Sequence, residues 1–327
     1  MMELRMKRSV IVWWLLLLSP LVLGACVLAG ATGISGLDWH TATGRAIFWL
    51  RVHRVAAGFV IGAGLSCSGV VLQALLRNPL ADPYILGVSS GAGLGAALVI
   101  VSGFAVAGLL PVSAFLAAIL TLSVVILLAR NGGSPSIYGL LLSGVIVSSM
   151  CSSMLMLIIS LASAEGLHSI TWWMLGNLQI VSSSLLMISG TLIILGALGI
   201  WGLARNLNAL TLGREMAHHL GIRTGVAVTL ALALATLTTA ASVGLAGLIG
   251  FVGLIVPHLM RSLVGPDHRR LVPAAALAGG WFLALCDALA RTALAPVEIP
   301  VGVITALIGG PFFLILLRRR RKHGWVE

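Results

Sequence analysis

Apolar runs of about 20 residues recur along the whole chain, separated by short polar punctuation. Ten stand out, at roughly 10–31, 54–76, 84–103, 108–130, 137–161, 185–204, 224–245, 247–264, 271–292 and 300–318. Each is about the length that crosses a hydrocarbon core of ~30 Å. None alternates apolar with polar residues as the strands of a membrane barrel do. Backbone groups in lipid need internal partners, so each run predicts a helix. The pattern predicts an all-α polytopic membrane protein with about ten transmembrane helices, forming a single domain over 1–327. Three polar stretches are longer than the rest: 32–53, ending in "RVHR"; 162–184, with Trp172 and Trp173; and 205–223, "RNLNALTLGREMAHHLGIR". The two tryptophans suit a water–lipid interface.

Composition agrees. Of 327 residues, 59% are hydrophobic and 9% charged, with mean hydropathy +1.10, values foreign to soluble domains. Charge sets the expected orientation. An even number of spans puts both termini on one side. Arg45, Arg51, Arg54 and Arg291 fall on the other side, while Arg5, Lys7, Arg8, Arg77, Arg130, Arg205, Arg214, Arg223, Arg261, Arg269, Arg270 and the tail "RRRRK" share the side of the termini. The positive-inside rule makes that side the cytoplasm. The net charge of +11 thus reflects topology, with the tail on anionic headgroups. It gives no reason to expect a nucleic-acid partner. Cys26, Cys67, Cys151 and Cys286 are scattered through apolar runs without metal-ligand spacing, and read as buried thiols. "LGAC" before Cys26 mimics a lipoprotein cleavage site. Cleavage there would leave an odd number of spans and put "RRRRK" outside, so the topology argues against it.

"GVSSGAGLG", 87–95, invites a phosphate-loop reading. Such a loop needs a following Lys, and the two lysines, Lys7 and Lys322, are near the termini. Gly87, Gly91 and Gly95, at i, i+4 and i+8, share one helix face. They predict a packing groove in the third span, the alternative being a pore-lining face that leaves room for a bulky substrate. The preceding "RNPLADP" predicts a stiff cytoplasmic elbow around Asn78 and Leu80, either a simple turn or a moving constriction, with Pro79 and Pro83 ending the second helix and starting the third.

Three blocks then carry a family resemblance: "RVHRVAAGFVIGAGLSCSGVVLQALLRNPLADPYILGVSSGAG", "GLAGLIGFVGLIVPHLMRSLVGPDHR" and "EIPVGVITALIGGPFF". They closely resemble permease subunits of ATP-binding-cassette importers for iron–siderophore complexes, haem and vitamin B12. With the 205–223 loop, the likeness covers nearly the whole chain. It implies ten helices per subunit, usually a homodimer around a central pathway in the bacterial inner membrane. It also implies two separate cytoplasmic ATPase subunits, which bind ATP and Mg, and a periplasmic substrate-binding protein. This chain would carry no cofactor and no catalytic residue of its own, and selectivity among the chelates would reside largely in the binding protein.

The resemblance implies roles residue by residue. Arg51, Arg54 and Arg291 match arginines that receive glutamates of the binding protein, a contact suited to bidentate pairing. Asp287, four residues before Arg291, is a competing partner along the helix. Arg51 and Arg54 are expected at the outer end of the second helix, where they oppose its macrodipole. Snorkelling to headgroups is the alternative. Leu212, Gly213, Arg214, Glu215, Ala217, Leu220 and Gly221 match the ATPase-coupling segment. There, Gly213 starts and Gly221 ends a short helix, and Met216, Ala217 and Leu220 form its apolar face. Arg214 stands where the family often has an acid. Asn78 and Leu80, with Ile137 and Tyr138, match the cytoplasmic gate. His53 replaces a usual proline between the paired arginines. His258, expected at a helix end, reads as structural, and His168 is a weak haem-contact candidate.

The competing class is an ion-coupled secondary transporter, which carries carboxylates deep in its spans. Asp and Glu total nine, and Asp287 alone lies well inside a predicted span. No HExxH, Ser/His pair or paired aspartates within a span suggest an intramembrane enzyme.

Overall fold

A computed structural model describes residues 2–30, 40–103, 108–131, 134–179 and 182–322. Its helices are α1 (Met2–Leu28), α2 (Ala42–Leu75), α3 (Val88–Ser102), α4 (Leu109–Ala129), α5 (Ile137–Leu161), α6 (Ala164–Met174), α7 (Ser183–Gly202), α8 (Ala204–Thr211), α9 (Arg214–His219), α10 (Thr224–Ala246), α11 (Val252–Val264), α12 (His268–Thr292) and α13 (Val301–Lys322). A two-residue antiparallel bridge, Arg130–Asn131 with Ser134–Pro135, closes the turn between α4 and α5. Among the described residues, seven helices are long and apolar enough to cross a membrane: α1 from Val10, α2, α4, α5, α7, α10 and α12. Three shorter apolar helices, α3, α11 and α13 as far as Leu316, complete the set of ten expected from the sequence.

Helix α2 is the axis of the fold. It is buried over most of its length and packs against α12, α10, α11 and α7. Small residues let backbones meet, which is how helices associate where lipid removes the hydrophobic drive. A Cβ on Gly69 would run into the backbone of Gly253 on α11, and one on Gly62 into the carbonyl of Gly279 on α12. Gly91 and Gly95 do the same for α3 against α4: a Cβ on Gly95 would sit 2.6 Å from the Ser113 carbonyl oxygen. The packing groove read from the sequence is therefore present. Gly87 packs closely too, since a Cβ there would lie 2.8 Å from Ser148 Oγ and 3.4 Å from Thr121 Cγ2, but not as a member of the helix. It lies before α3 with φ 84°, where it also serves the turn.

Several boundaries differ from those expected. Helix α2 begins at Ala42, twelve residues before the apolar run, because Thr41 caps it by accepting from the Gly44 amide at 3.0 Å. The polar stretch 32–53 is thus helical from Ala42 on, and 31–39 lie outside the described residues. The third span begins at Val88, because Pro83–Leu86 is a separate 3-10 turn capped by Asp82. The stretch 247–251 is not helical: Gly247 and Phe251 have φ 72° and 70°, and α11 starts at Val252. The loop 205–223 is the helix pair α8–α9. His258 lies within α11, edge-on to the Phe312 ring at 6.5 Å, and not at a helix end. Cys26, Cys67 and Cys286 are buried, Cys151 half-buried, and all four are free thiols. The side chains of Arg319 to Lys322 lie outside the description, including any grip on headgroups.

Candidate functional site

Two polar constellations lie at opposite ends of α2. The helix has 34 residues, about 51 Å at 1.5 Å per residue, against a hydrocarbon core of ~30 Å. Twenty residues back from Leu75 is Val55, so about a core's thickness separates the elbow after α2 from Arg51 and Arg54. These arginines sit ten and thirteen residues into α2, not at its first turn. The macrodipole cost expected of them does not apply.

At this end Arg51, Arg54 and Arg291 converge. Arg54 Nε donates to Asp287 Oδ1 at 2.8 Å, and its Nη1 donates to Glu298 Oε2 at 2.8 Å. Arg291 Nε stands 3.0 Å from Asp287 Oδ2, although its hydrogen is directed at the Asp287 carbonyl, 3.3 Å away. Its two terminal nitrogens donate to the carbonyls of Ala29 and Cys26. Arg51 donates to the Leu28 carbonyl at 3.0 Å. The guanidiniums therefore cap the last carbonyls of α1, orphaned at the helix C-terminus. The cluster is largely enclosed: Arg51 is 7% exposed, Arg291 4% and Asp287 0%. Three cations against two carboxylates leave it one positive charge. Glu298, in the α12–α13 loop, also accepts from Gln179 Nε2 at 2.6 Å. Burial alone would raise the Glu298 carboxyl, but the bonds from Gln179 and Arg54 and the charges of Arg54 and Arg291 hold it below the usual range.

The Asp287–Arg291 pair follows from sequence spacing. Glu298 and Gln179 do not: they are 244 and 125 positions from Arg54 and reach it only through the fold. Their one sequence signal was polarity at the edge of an apolar run. Both residues line a crevice of about 310 Å³ with Arg51, Arg54 and Arg291. A separate cavity of about 860 Å³ opens between α4, α6 and α10, and His168 and Trp172 stack on its wall with ring centroids 6.0 Å apart. Among the described residues, no three His, Cys, Asp or Glu side chains group to hold a metal.

At the other end, Gly213 (φ 114°) precedes α9 and Gly221 (φ 80°) follows it, as the sequence predicts. The apolar face differs. Ala217 is 0% exposed and packs inward, while Leu212, Met216 and Leu220 are 65%, 51% and 59% exposed. Arg214 folds back, and its guanidinium donates to the carbonyl of Pro135, immediately before the cap of α5. Ile137 and Arg214 share a small crevice with Leu75 and Arg77. Tyr138 is 88% exposed and Leu80 37%. Asn78 is exposed too, and its side chain accepts from the Leu80 amide at 2.9 Å, bracing the elbow. The structure thus brings Arg214 to the α4–α5 turn, a link that no sequence spacing announces.

A profile of the FecCD transport family matches residues 11–319. The chain belongs to the FecCD transport family. It is 39% identical over 330 residues to the hemin transport system permease protein HmuU of Yersinia pestis, covering 97% of each chain. It is 39% identical over 317 residues to the vitamin B12 import system permease protein BtuC of Escherichia coli O9:H4, covering 94% of this chain and 96% of that one. Its fold superposes on a solved metal-chelate type ABC transporter in an inward-facing conformation with TM-score 0.87, at 33% identity, covering 94% of this chain and 99% of the other. Like these FecCD relatives, it is a multi-span helical membrane permease.

Proposed function

We propose that this chain is the membrane subunit of an ATP-driven importer that moves a metal chelate (an iron–siderophore complex, haem or cobalamin) into the cytoplasm. Two copies would enclose the pathway. Separate ATPase subunits would bind ATP and Mg, and a binding protein would deliver the chelate. The observation that carries this reading is the α8–α9 segment: an exposed apolar edge of Leu212, Met216 and Leu220, tied through Arg214 to the turn before Ile137 and Tyr138. A partner that pushes on α9 would move that turn directly. Such a two-state element, biased from outside, is what opening and closing a gate requires. Leu212, Gly213, Arg214, Glu215, Ala217, Leu220 and Gly221 are thus assigned to coupling, and Asn78, Leu80, Ile137 and Tyr138 to the gate.

Arg51, Arg54 and Arg291 are assigned to docking of the binding protein. Because two of them are enclosed, the incoming carboxylate meets chiefly the Arg54 edge and competes there with Glu298. Ion coupling is disfavoured by Asp287, whose carboxylate is held between Arg54 and Arg291. Purification of the tagged chain from its own membranes in mild detergent, with mass spectrometry of what accompanies it, tests the reading. A near-stoichiometric ATPase is expected. Recovery of the chain alone across several gentle detergents would contradict it.

A further inference from the structure

An apolar groove of about 470 Å³ runs between α1 and α7, floored by α2 and α12. Trp13 and Leu16 form one wall, Ile194 and Leu198 the other, and Cys67 and Val272 lie at its base. On α7 it extends from Ile193 to Trp201, eight residues or about 12 Å along the helix axis. That is most of one leaflet of a ~30 Å core. The volume falls within the usual range of ligand sites.

The end of the groove is chemically distinct. The Trp201 indole N–H donates to the Arg269 carbonyl at 2.9 Å, fixing the ring at the mouth. Arg269 itself is exposed, as is Arg205, one turn beyond Trp201. Arg270 is adjacent. Asp267 accepts from Asn208 at 2.7 Å and offsets one of the three arginines. By sequence, α1 adds Arg5, Lys7 and Arg8, against Glu3, ahead of Val12. A dry slot one leaflet deep, headed by an interfacial tryptophan and excess positive charge, matches one kind of molecule. Its tail is a hydrocarbon chain and its head a phosphate.

We propose that this groove holds one acyl chain of an anionic phospholipid from the leaflet on the side of the basic loops, with Arg205 and Arg269 binding its headgroup. The lipid would join α1 to α7 and α12 at that end.

The full chain is reconstituted in phosphatidylcholine vesicles containing rising fractions of brominated phosphatidylglycerol or, separately, brominated phosphatidylcholine. Bromine quenches tryptophan on contact, and subtracting the signal of Trp201→Phe isolates the groove mouth. Trp13→Phe, on the opposite wall, gives the same subtraction if Trp201→Phe does not fold. The expected result is half-quenching at a several-fold lower fraction of brominated phosphatidylglycerol than of brominated phosphatidylcholine. The double variant Arg205→Gln/Arg269→Gln should abolish that difference. Equal quenching by both lipids in the wild type would overturn the proposal, as would a preference that survives loss of both arginines. Quenching by neither lipid would overturn it too, showing that protein covers this face.

Discussion

The hydroxyl of Tyr84 serves both backbone groups of Ile249: it donates to the carbonyl at 3.1 Å and accepts from the amide at 3.2 Å. Ile249 is buried in the non-helical stretch between α10 and α11. Irregular backbone at such depth survives only where protein satisfies it. Tyr84→Phe keeps the ring and leaves both groups without this partner. A loss of about 1–3 kcal/mol is expected, read as a lower thermal midpoint in detergent. An unchanged midpoint would show that the break is held by other means.

The Arg54–Asp287–Arg291 arrangement makes a second demand. Asp287 is fully enclosed, and Asp287→Asn leaves two guanidiniums without their shared countercharge. Breaking a buried ion pair from one side costs about 3–5 kcal/mol. Adding Arg291→Gln should recover part of that loss, because neighbouring charges are not additive. Thermal unfolding of the two variants, compared with the wild type, measures both effects.

The sequence made some of this legible and hid the rest for identifiable reasons. Ten apolar helices could be read because lipid imposes a minimum run length. The glycines at 91 and 95 could be read as packing positions because helix periodicity is local. The start of α2 at Ala42 is hard to read because the polarity of "HTATGR" resembles a loop, although Thr41 is a sound cap. The break at 247–251 was missed because its residues are apolar, and only the backbone at Gly247 and Phe251 departs from helix. Sequence spacing groups Ala217 with Met216 and Leu220 on one face of α9, whereas burial reserves it for the core. The Arg214–Pro135 bond spans 79 positions, beyond any spacing rule.

Glu298 gives a pH dependence with a definite sign. Its carboxyl lies below the usual range when folded, against the lift from burial, because Gln179 and Arg54 bond it and Arg54 and Arg291 face it. A depressed carboxylate contributes stability that is present above its unfolded value and lost as pH falls through the folded one. The midpoint difference between wild type and Glu298→Gln should therefore shrink on titration from pH 6 to below the ordinary glutamate range, about 4.3. A difference that stays constant would remove Glu298 from the charge network.

Arg214 tests coupling apart from assembly. Arg214→Met deletes the donor to the Pro135 carbonyl and leaves Leu212, Met216 and Leu220 in place. The ATPase should still co-purify, while substrate uptake per ATP hydrolysed falls several-fold. Loss of the ATPase together with uptake would instead make Arg214 part of the docking surface.

In the proposed function, ATP hydrolysis on a partner subunit, transmitted through α9, drives import. Proteoliposomes carrying this chain and its co-purifying ATPase, supplied with a radiolabelled iron or cobalt chelate on its binding protein, test it most directly. The expected result is accumulation that requires ATP and is abolished by Met216→Glu, with the chain still folded. Accumulation driven by a proton or sodium gradient without ATP, and indifferent to Met216→Glu, would contradict it.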